Sequence, residues 1–211
     1  MSCVHTARDD WQEYVVQEFT FIDFPPGGSI LDIGCGEGVQ LQKLQRQGCR
    51  GFGIDFDIGS VAQCGSLGLP VVRAVAEQIP FKSRVFDGAI CKVVIPYTDE
   101  IWAIREIGRV LKDEAVCYCC YHGAGYYLWY LLVPFSWKFR FYGLRTLVNT
   151  WIYATAGVRL PGFLGDTLYQ SRRRLAEQYC GSGLRLLREP PAKTFLGFPV
   201  FIYHAVQKLS R

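Results

Sequence analysis

The chain has 211 residues, half of them hydrophobic and a fifth charged, a folding composition long enough for one sizeable core and cramped for two. The formal charge of +4 is a mild excess. It argues against a nucleic-acid partner, which calls for Lys and Arg clustered on one face.

A first helix is predicted over residues 8–19, with Trp11, Tyr14, Val15 and Glu18 at helical spacing; His5 falls in the terminus before it. The N-terminus has no apolar signal core. The turn formers Pro25, Pro26, Gly27 and Gly28 end this region. A strand at Ser29–Ile33 runs into Gly34-Cys35-Gly36-Glu37-Gly38, and a helix follows to about Gln47, stopped by Gly48. Strand two is predicted at 51–54, ending on Asp55. A helix covers Ile58–Ser66, strand three 70–74, and strand four 86–91. The next helix carries Ile101, Ile104, Ile107 and Val110 on one side, and strand five spans 115–121. Strands alternating with helices call for a parallel sheet covered on both faces.

That pattern breaks at about 123–165, an aromatic-rich stretch read as irregular, with Trp129, Trp137 and Trp151. A helix is expected again near 166–179, and two last strands at Leu184–Arg188 and 199–206. The most apolar run, 124–137, is shorter than the roughly 20 residues a spanning helix needs, and Pro134 interrupts it. No transmembrane segment is expected, while a peripheral contact with membrane or lipid stays open. The basic run Arg172, Arg173, Arg174 reads as a solvated helix face. The nine cysteines are odd in number and scattered. Cys91, Cys117, Cys119 and Cys120 lie in apolar strand-like runs, as small buried hydrophobes do. They point to a reducing, cytoplasmic compartment. None pairs with histidines at zinc-ligand spacing, so no metal site is expected.

The chemistry concentrates at Ile30-Leu31-Asp32-Ile33-Gly34-Cys35-Gly36-Glu37-Gly38, a buried strand turning tightly into a helix. Glycines let the backbone approach a ligand where a Cβ would collide. The helix N-terminus offers N–H groups to a carboxylate or phosphate, and Asp32 can orient a cationic amino group. Together they suit an amino-acid zwitterion. The spacing is G-x-G-x-G, not the G-x-G-x-x-G of a dinucleotide site. Asp55, 17 residues after Gly38, can accept from ribose hydroxyls or cap a helix.

These residues resemble motif I of the class I S-adenosylmethionine-dependent methyltransferases. Gly53-Ile54-Asp55-Phe56-Asp57 is similar to their motif II. Ala76-Glu77-Gln78-Ile79-Pro80-Phe81 resembles the A-E-x-L-P-F loop of the small-molecule branch called type 11. Phe86-Asp87-Gly88-Ala89-Ile90 resembles its F-D-x-V strand, and 105–112 its R-E-x-x-R-V-L-K helix end. The five motifs run in order over about residues 29–122. The resemblance implies a single domain over 1–211: a doubly wound, Rossmann-like seven-stranded sheet of order 3-2-1-4-5-7-6. An aromatic-rich cap, about 123–165, would be inserted after strand five.

The cofactor implied is S-adenosylmethionine. Asp32, Gly34, Cys35 and Gly36 would surround its methionine part, Asp55 its ribose, and Phe56 its adenine, with Ala76 and Glu77 at the adenine edge. Cys91 and Lys92 would flank the methionine part and the acceptor. Two positions depart from the family. Val75 stands where an acid usually accepts from the adenine amino group. Asp113-Glu114-Ala115 stands where Pro-Gly-Gly usually turns into strand five.

The sulfonium methyl of such a cofactor is already electrophilic, so a base is needed only if the nucleophile must lose a proton. His122 and Tyr97, at the ligand-binding edge of the sheet, are the candidates to touch substrate, and no catalytic residue is assigned. His204 reads as a packed strand residue. The cap's aromatics, interspersed with Lys138, Arg140 and Arg145, suit a small hydrophobic or lipid-like acceptor. They equally suit plain packing or a dimer interface, so the chain is expected as a monomer or a homodimer. Three other functions compete. A nicotinamide-dependent oxidoreductase lacks its third glycine and a Tyr-x-x-x-Lys pair. An RNA methyltransferase lacks basic charge, and Ile95-Pro96-Tyr97 only partly echoes its tetrad. A non-catalytic scaffold on the same fold is left room by Val75.

Overall fold

The computed structural model describes residues 22–133 and 136–210; the predicted helix at 8–19, His5 and Pro134 lie outside them. The chain runs β1 (Ser29–Ile33), α1 (Val39–Arg46), β2 (Arg50–Asp55), α2 (Ile58–Ser66), β3 (Val71–Arg73), β4 (Phe86–Lys92), α3 (Glu100–Val110) and β5 (Leu111–His122). It continues through α4 (Ala124–Leu132), α5 (Trp137–Ala156), α6 (Arg172–Gly181), β6 (Leu184–Arg188), β7 (Thr194–Phe195), β8 (Phe198–Pro199) and β9 (Phe201–Lys208).

Among the described residues the main sheet has seven strands in the order β3-β2-β1-β4-β5-β9-β6. This is the expected order, with β9 as the seventh strand. β1 pairs in parallel with β2 on one side and β4 on the other, so the strand order reverses at β1 and opens a crevice at its C-terminal end. β9 runs antiparallel to both β5 and β6.

The central strands are apolar on both faces because helices cover both. Alternate residues therefore enter different cores. Leu31, Ile33, Ala89 and Cys91 pack with Ile104 and Ile107 of α3. Ile30 and Ile90 pack with Leu41 and Leu44 of α1 and with Cys64 of α2. Cys117, Cys119 and Cys120 are buried, as their apolar runs predict.

Local signals set the helix ends. Asp57 caps α2 by accepting from the Ser60 N–H at 2.8 Å, and Asp99 caps α3 by accepting from Ile101 and Trp102. Gly48, at φ +77°, ends the α1 turn where a side chain would be strained. β5 begins at Leu111, earlier than the expected 115, and Glu114 takes φ +65° within its irregular stretch between the pairings of Leu111 and Val116, where the family places glycine.

The structure corrects four expectations. Residues 124–132 and 137–156 are not irregular but form α4 and α5, packed against each other. The helix expected at 166–179 begins only at Arg172, because Ser171 caps it by accepting from the Arg174 N–H. The strand expected at 199–206 splits. Phe198–Pro199 folds into a two-residue hairpin with β7 through Leu196 and Gly197, both at positive φ, and β9 starts at Phe201. Finally, Arg174 does not share the solvated face of Arg173. It turns inward to the buried Glu100, 2.9 Å away.

α5 eluded the periodicity because its buried face is polar: Gly143, Arg145, Thr146, Asn149 and Thr150. Asn149 donates to the Thr167 carbonyl and accepts from the Leu160 N–H, and Thr150 accepts from the Tyr169 N–H. These bonds tie the returning segment 157–171 to α5 and so satisfy backbone groups that sequence periodicity does not register.

Candidate active site

A pocket of about 590 Å³ opens at the C-terminal ends of β1, β2 and β4. The predicted residues Gly34, Asp55, Phe56, Ala76, Glu77, Lys92 and Tyr97 all line it, together with Val75, Val93 and Thr98. The glycine turn forms its floor. Gly34 sits at φ +70°, and a Cβ there would lie 2.3 Å from the Val94 side chain. Its N–H and that of Cys35 both donate to the Ile54 carbonyl, which locks the turn onto β2. Gly36 also has positive φ, with open space where its Cβ would stand.

Two carboxylates lie at this turn: Asp55 lines the pocket, while Asp32, near enough to feel its charge, is buried behind the lining, and Gly36 also stands outside it. Asp55 accepts from the Gly36 N–H at 2.8 Å through one oxygen and from the Asp57 N–H at 2.9 Å through the other. It is thereby oriented, and the remaining lone pairs of its two oxygens can still accept. Asp32 is 2% exposed, and its Oδ2 has no partner among the described residues. Burial foremost, then the charge of Asp55, raises its pKa from 3.8 to about 7, and Lys92 only partly offsets this. A buried carboxylate oxygen without a donor is costly, and a bound ammonium group is the partner that relieves it. The residues present therefore fit the amino-acid end of S-adenosylmethionine.

Cys35 and Cys91 were expected at this site, but their side chains are buried in the two cores instead of lining the pocket. Burial raises both thiol pKa values, so neither is a thiolate nucleophile.

Phe56, 71% exposed, stands at the rim as a free aromatic face. Val75 lines the same end and contributes only apolar surface there. Glu77 is partly committed, since its Oε1 accepts from the Asp99 N–H at 2.9 Å.

The loop carrying Ala76 and Glu77 is held by residues to which the sequence assigned no role. Glu106 accepts from the Ile79 N–H, while Arg109 donates to the carbonyls of Ile79 and Phe81, each at 2.8 Å. The two side chains also pair with each other at 2.6 Å. The R-E-x-x-R spacing places both on one face of α3, where they staple the loop. Val93 was also missed. It follows Lys92 at φ +58°, a conformation costing a β-branched residue about 1–3 kcal/mol, and nothing in the sequence signals it.

The far wall is aromatic. The Tyr97 hydroxyl lies 3.2 Å from that of Tyr142 on α5. Burial raises the Tyr97 pKa further above its ordinary value, so the phenol keeps its proton. His122 does not line the pocket. It is 5% exposed, stacks on Tyr126 at 3.7 Å and meets the Tyr127 hydroxyl at 3.3 Å. Burial lowers its pKa to about 3, so it stays neutral. His204 is packed as expected, with its Nδ1 2.8 Å from the Tyr179 hydroxyl. Among the described residues no helix is long and apolar enough to cross a membrane.

Comparison with known proteins agrees with this geometry. The family described as a methyltransferase domain matches residues 31–119. An uncharacterized protein of Methanocaldococcus jannaschii is 34% identical over 110 residues, 52% of this chain and 43% of that one. A demethylmenaquinone methyltransferase of Corynebacterium kroppenstedtii is 29% identical over 92 residues, 43% of this chain and 40% of its own. The chain thus spans about two fifths of the length of these curated relatives. The crystal structure of a SAM-dependent methyltransferase from Methanosarcina mazei superposes with a TM-score of 0.64 over 89% of this chain and 95% of that one. At 20% identity that likeness is one of fold. Sequence, sheet order and pocket converge: residues 31–119 match the methyltransferase-domain family, and the fold around them is that of the SAM-dependent methyltransferase from Methanosarcina mazei.

Proposed function

We propose that this protein is a single methyltransferase domain that moves a methyl group from S-adenosylmethionine to a small, apolar, lipid-like acceptor. The observation that carries the cofactor part is the buried, donorless oxygen of Asp32 beside an oriented Asp55. When bound, the cofactor supplies an electrophilic sulfonium methyl. Asp32 would hold its ammonium and the backbone of Gly34, Cys35 and Gly36 its methionine part. Asp55 would take the ribose, Phe56 the adenine face, and Ala76 and Glu77 the adenine edge. Cys91 would contribute through its backbone, and Lys92 through its cationic side chain.

The acceptor reading rests on the aromatic wall. Tyr97 lines the pocket, its hydroxyl meets that of Tyr142, and Tyr127 and Tyr130 pack on the Tyr142 ring with Tyr126 beside them. Such a wall excludes water and favours apolar ligands. It also lacks a strong base: Tyr97 keeps its proton, His122 is buried away, and Glu77 is engaged with α3. Tyr97 would donate a hydrogen bond to the acceptor and orient it. The nucleophile should therefore lose its proton readily, as a phenol or quinol does, or need no base. The name of the Corynebacterium relative agrees with this class. The buried thiols agree with a cytoplasmic setting.

The test is calorimetry with S-adenosylmethionine, then transfer of a labelled methyl group to a panel of quinols, phenols and polar amines. Binding with transfer to the apolar acceptors is expected. Binding with transfer only to polar amines refutes the acceptor. No binding refutes the enzyme and favours a non-catalytic scaffold, the reading that the apolar Val75 at the adenine end supports.

A further inference from the structure

Helix α5 is built inside out. Its buried face carries Gly143, Arg145, Thr146, Asn149 and Thr150. Its solvent face carries Trp137, Phe141, Leu144, Val148 and Trp151, exposed by 72, 42, 48, 42 and 66%. These positions repeat every three or four residues, so they form one stripe, about 21 Å long from Trp137 to Trp151. Phe163, 64% exposed, stacks on Phe141 and widens it. Folding ordinarily turns such a face inward. A contiguous apolar patch of this length on the outside of a protein marks a surface that meets something apolar.

The charges around the stripe select what it meets. Lys138 and Arg140 are exposed and, at a hundred degrees per residue, fall on opposite flanks of it. Residues 115–165 contain no Asp or Glu at all. The one acid beside it, Asp166, is already paired with Arg145 of α5 at 2.8 Å, so a second copy of this face would bring no unpaired acid to Lys138 and Arg140, whereas a layer of anionic lipid headgroups does. Trp at both ends suits the boundary between headgroups and acyl chains, where its amphipathic ring partitions. We infer that α5 lies flat in the surface of an anionic bilayer, its apolar stripe among the upper acyl chains and Lys138 and Arg140 on lipid phosphates. On its inner side the same helix presents Tyr142 to Tyr97 at the pocket wall. It therefore stands between bilayer and pocket. The inference does not depend on which acceptor is methylated.

The test is sedimentation of the full chain with vesicles of phosphatidylcholine plus phosphatidylglycerol, without any methyl acceptor, alongside vesicles of phosphatidylcholine alone. The full chain should pellet with the anionic vesicles, and less so as salt rises. Trp137→Ser and Trp151→Ser should each lower partitioning about tenfold or more. Lys138→Gln and Arg140→Gln should each lower it about fivefold on anionic vesicles and leave the neutral ones unchanged. All four side chains are exposed, so thermal melting should match the parent and show that the variants fold; Leu144→Gln, on the same stripe, gives an independent check. Failure to pellet with anionic vesicles overturns the proposal. So does a dimer in sedimentation velocity that Trp151→Ser dissociates while vesicles are ignored, which would make the stripe an interface between copies. Vesicle binding that neither Trp substitution weakens overturns it as well.

Discussion

Replacing Asp32 with asparagine removes a charge that the fold buries, with one oxygen, Oδ2, lacking a donor among the described residues. In the ligand-free protein its pKa lies near 7 instead of 3.8, a difference worth on the order of 4 kcal/mol. The sign follows from proton uptake. Between these two values the native state holds a proton that the unfolded chain has lost, so the penalty is absent below the lower value, grows as pH rises, and is complete above the upper one. An asparagine at this position carries no such penalty, but its amide loses hydration too, which leaves a net gain of about 1–3 kcal/mol. Urea melts of both ligand-free proteins at about pH 4 and about pH 8 measure this. Asp32→Asn should match the parent at the lower pH and be more stable at the higher. The same substitution should weaken S-adenosylmethionine binding by about ten- to a hundredfold, since a hydrogen bond to a charged group is lost. Parent affinity should itself fall below about pH 7, as Asp32 takes up a proton, while that of the variant stays flat. A variant less stable than the parent at the higher pH, or one that binds the cofactor equally well, refutes the assignment of Asp32 as the buried ammonium partner.

Gly34→Ala should destabilise by about 1–3 kcal/mol through its positive φ and its clash with Val94; Val94→Ala should restore part of this in a double-mutant melt, because it removes the clash and not the backbone strain. Glu106→Gln should loosen the 76–81 loop and raise the cofactor Kd about fivefold by calorimetry, with little effect on the core. Glu114→Gly should raise Tm by about 2–4 °C, as a left-handed residue regains its freedom. Burial holds His122 neutral, with its pKa lowered from 6.5 to about 3. Stability should therefore fall as pH drops below 6.5, since the unfolded chain protonates first, and His122→Phe should flatten that loss in melts over the same range.

How much of the site was legible depends on whether a residue acts through its backbone or its surroundings. Gly34, Gly36 and Asp55 could be placed because a strand-to-helix turn demands particular residues at fixed spacing, and the turn itself is the site. Cys91 was adjacent in sequence to Lys92 but alternates away from it, since neighbouring strand residues face opposite sides, and Cys35, in the turn beyond β1, sends its side chain into the core under α1. Whether His122 or Tyr97 reaches the pocket was not legible either. His122 ends β5 and Tyr97 follows β4 at the same edge, and only the packing of α4 covers one ring with Tyr126 and leaves the other half-buried in the pocket wall.

The amino-acid order by itself determined the alternating strands and helices, the two-faced apolar core and the glycine turn with its two carboxylates, because these follow from short-range periodicity and backbone sterics. Only the tertiary structure decided what the segment 123–165 becomes. Its helix α5 hides polar groups that bond to a returning loop and shows its apolar side to the outside, so the rule that apolar faces turn inward misreads it. Likewise only tertiary structure left Oδ2 of Asp32 without a donor among the described residues: the flanking strands β2 and β4 bury it, and Asp55 at the end of β2 adds the charge that raises its pKa further, elements distant in sequence and brought together by the sheet.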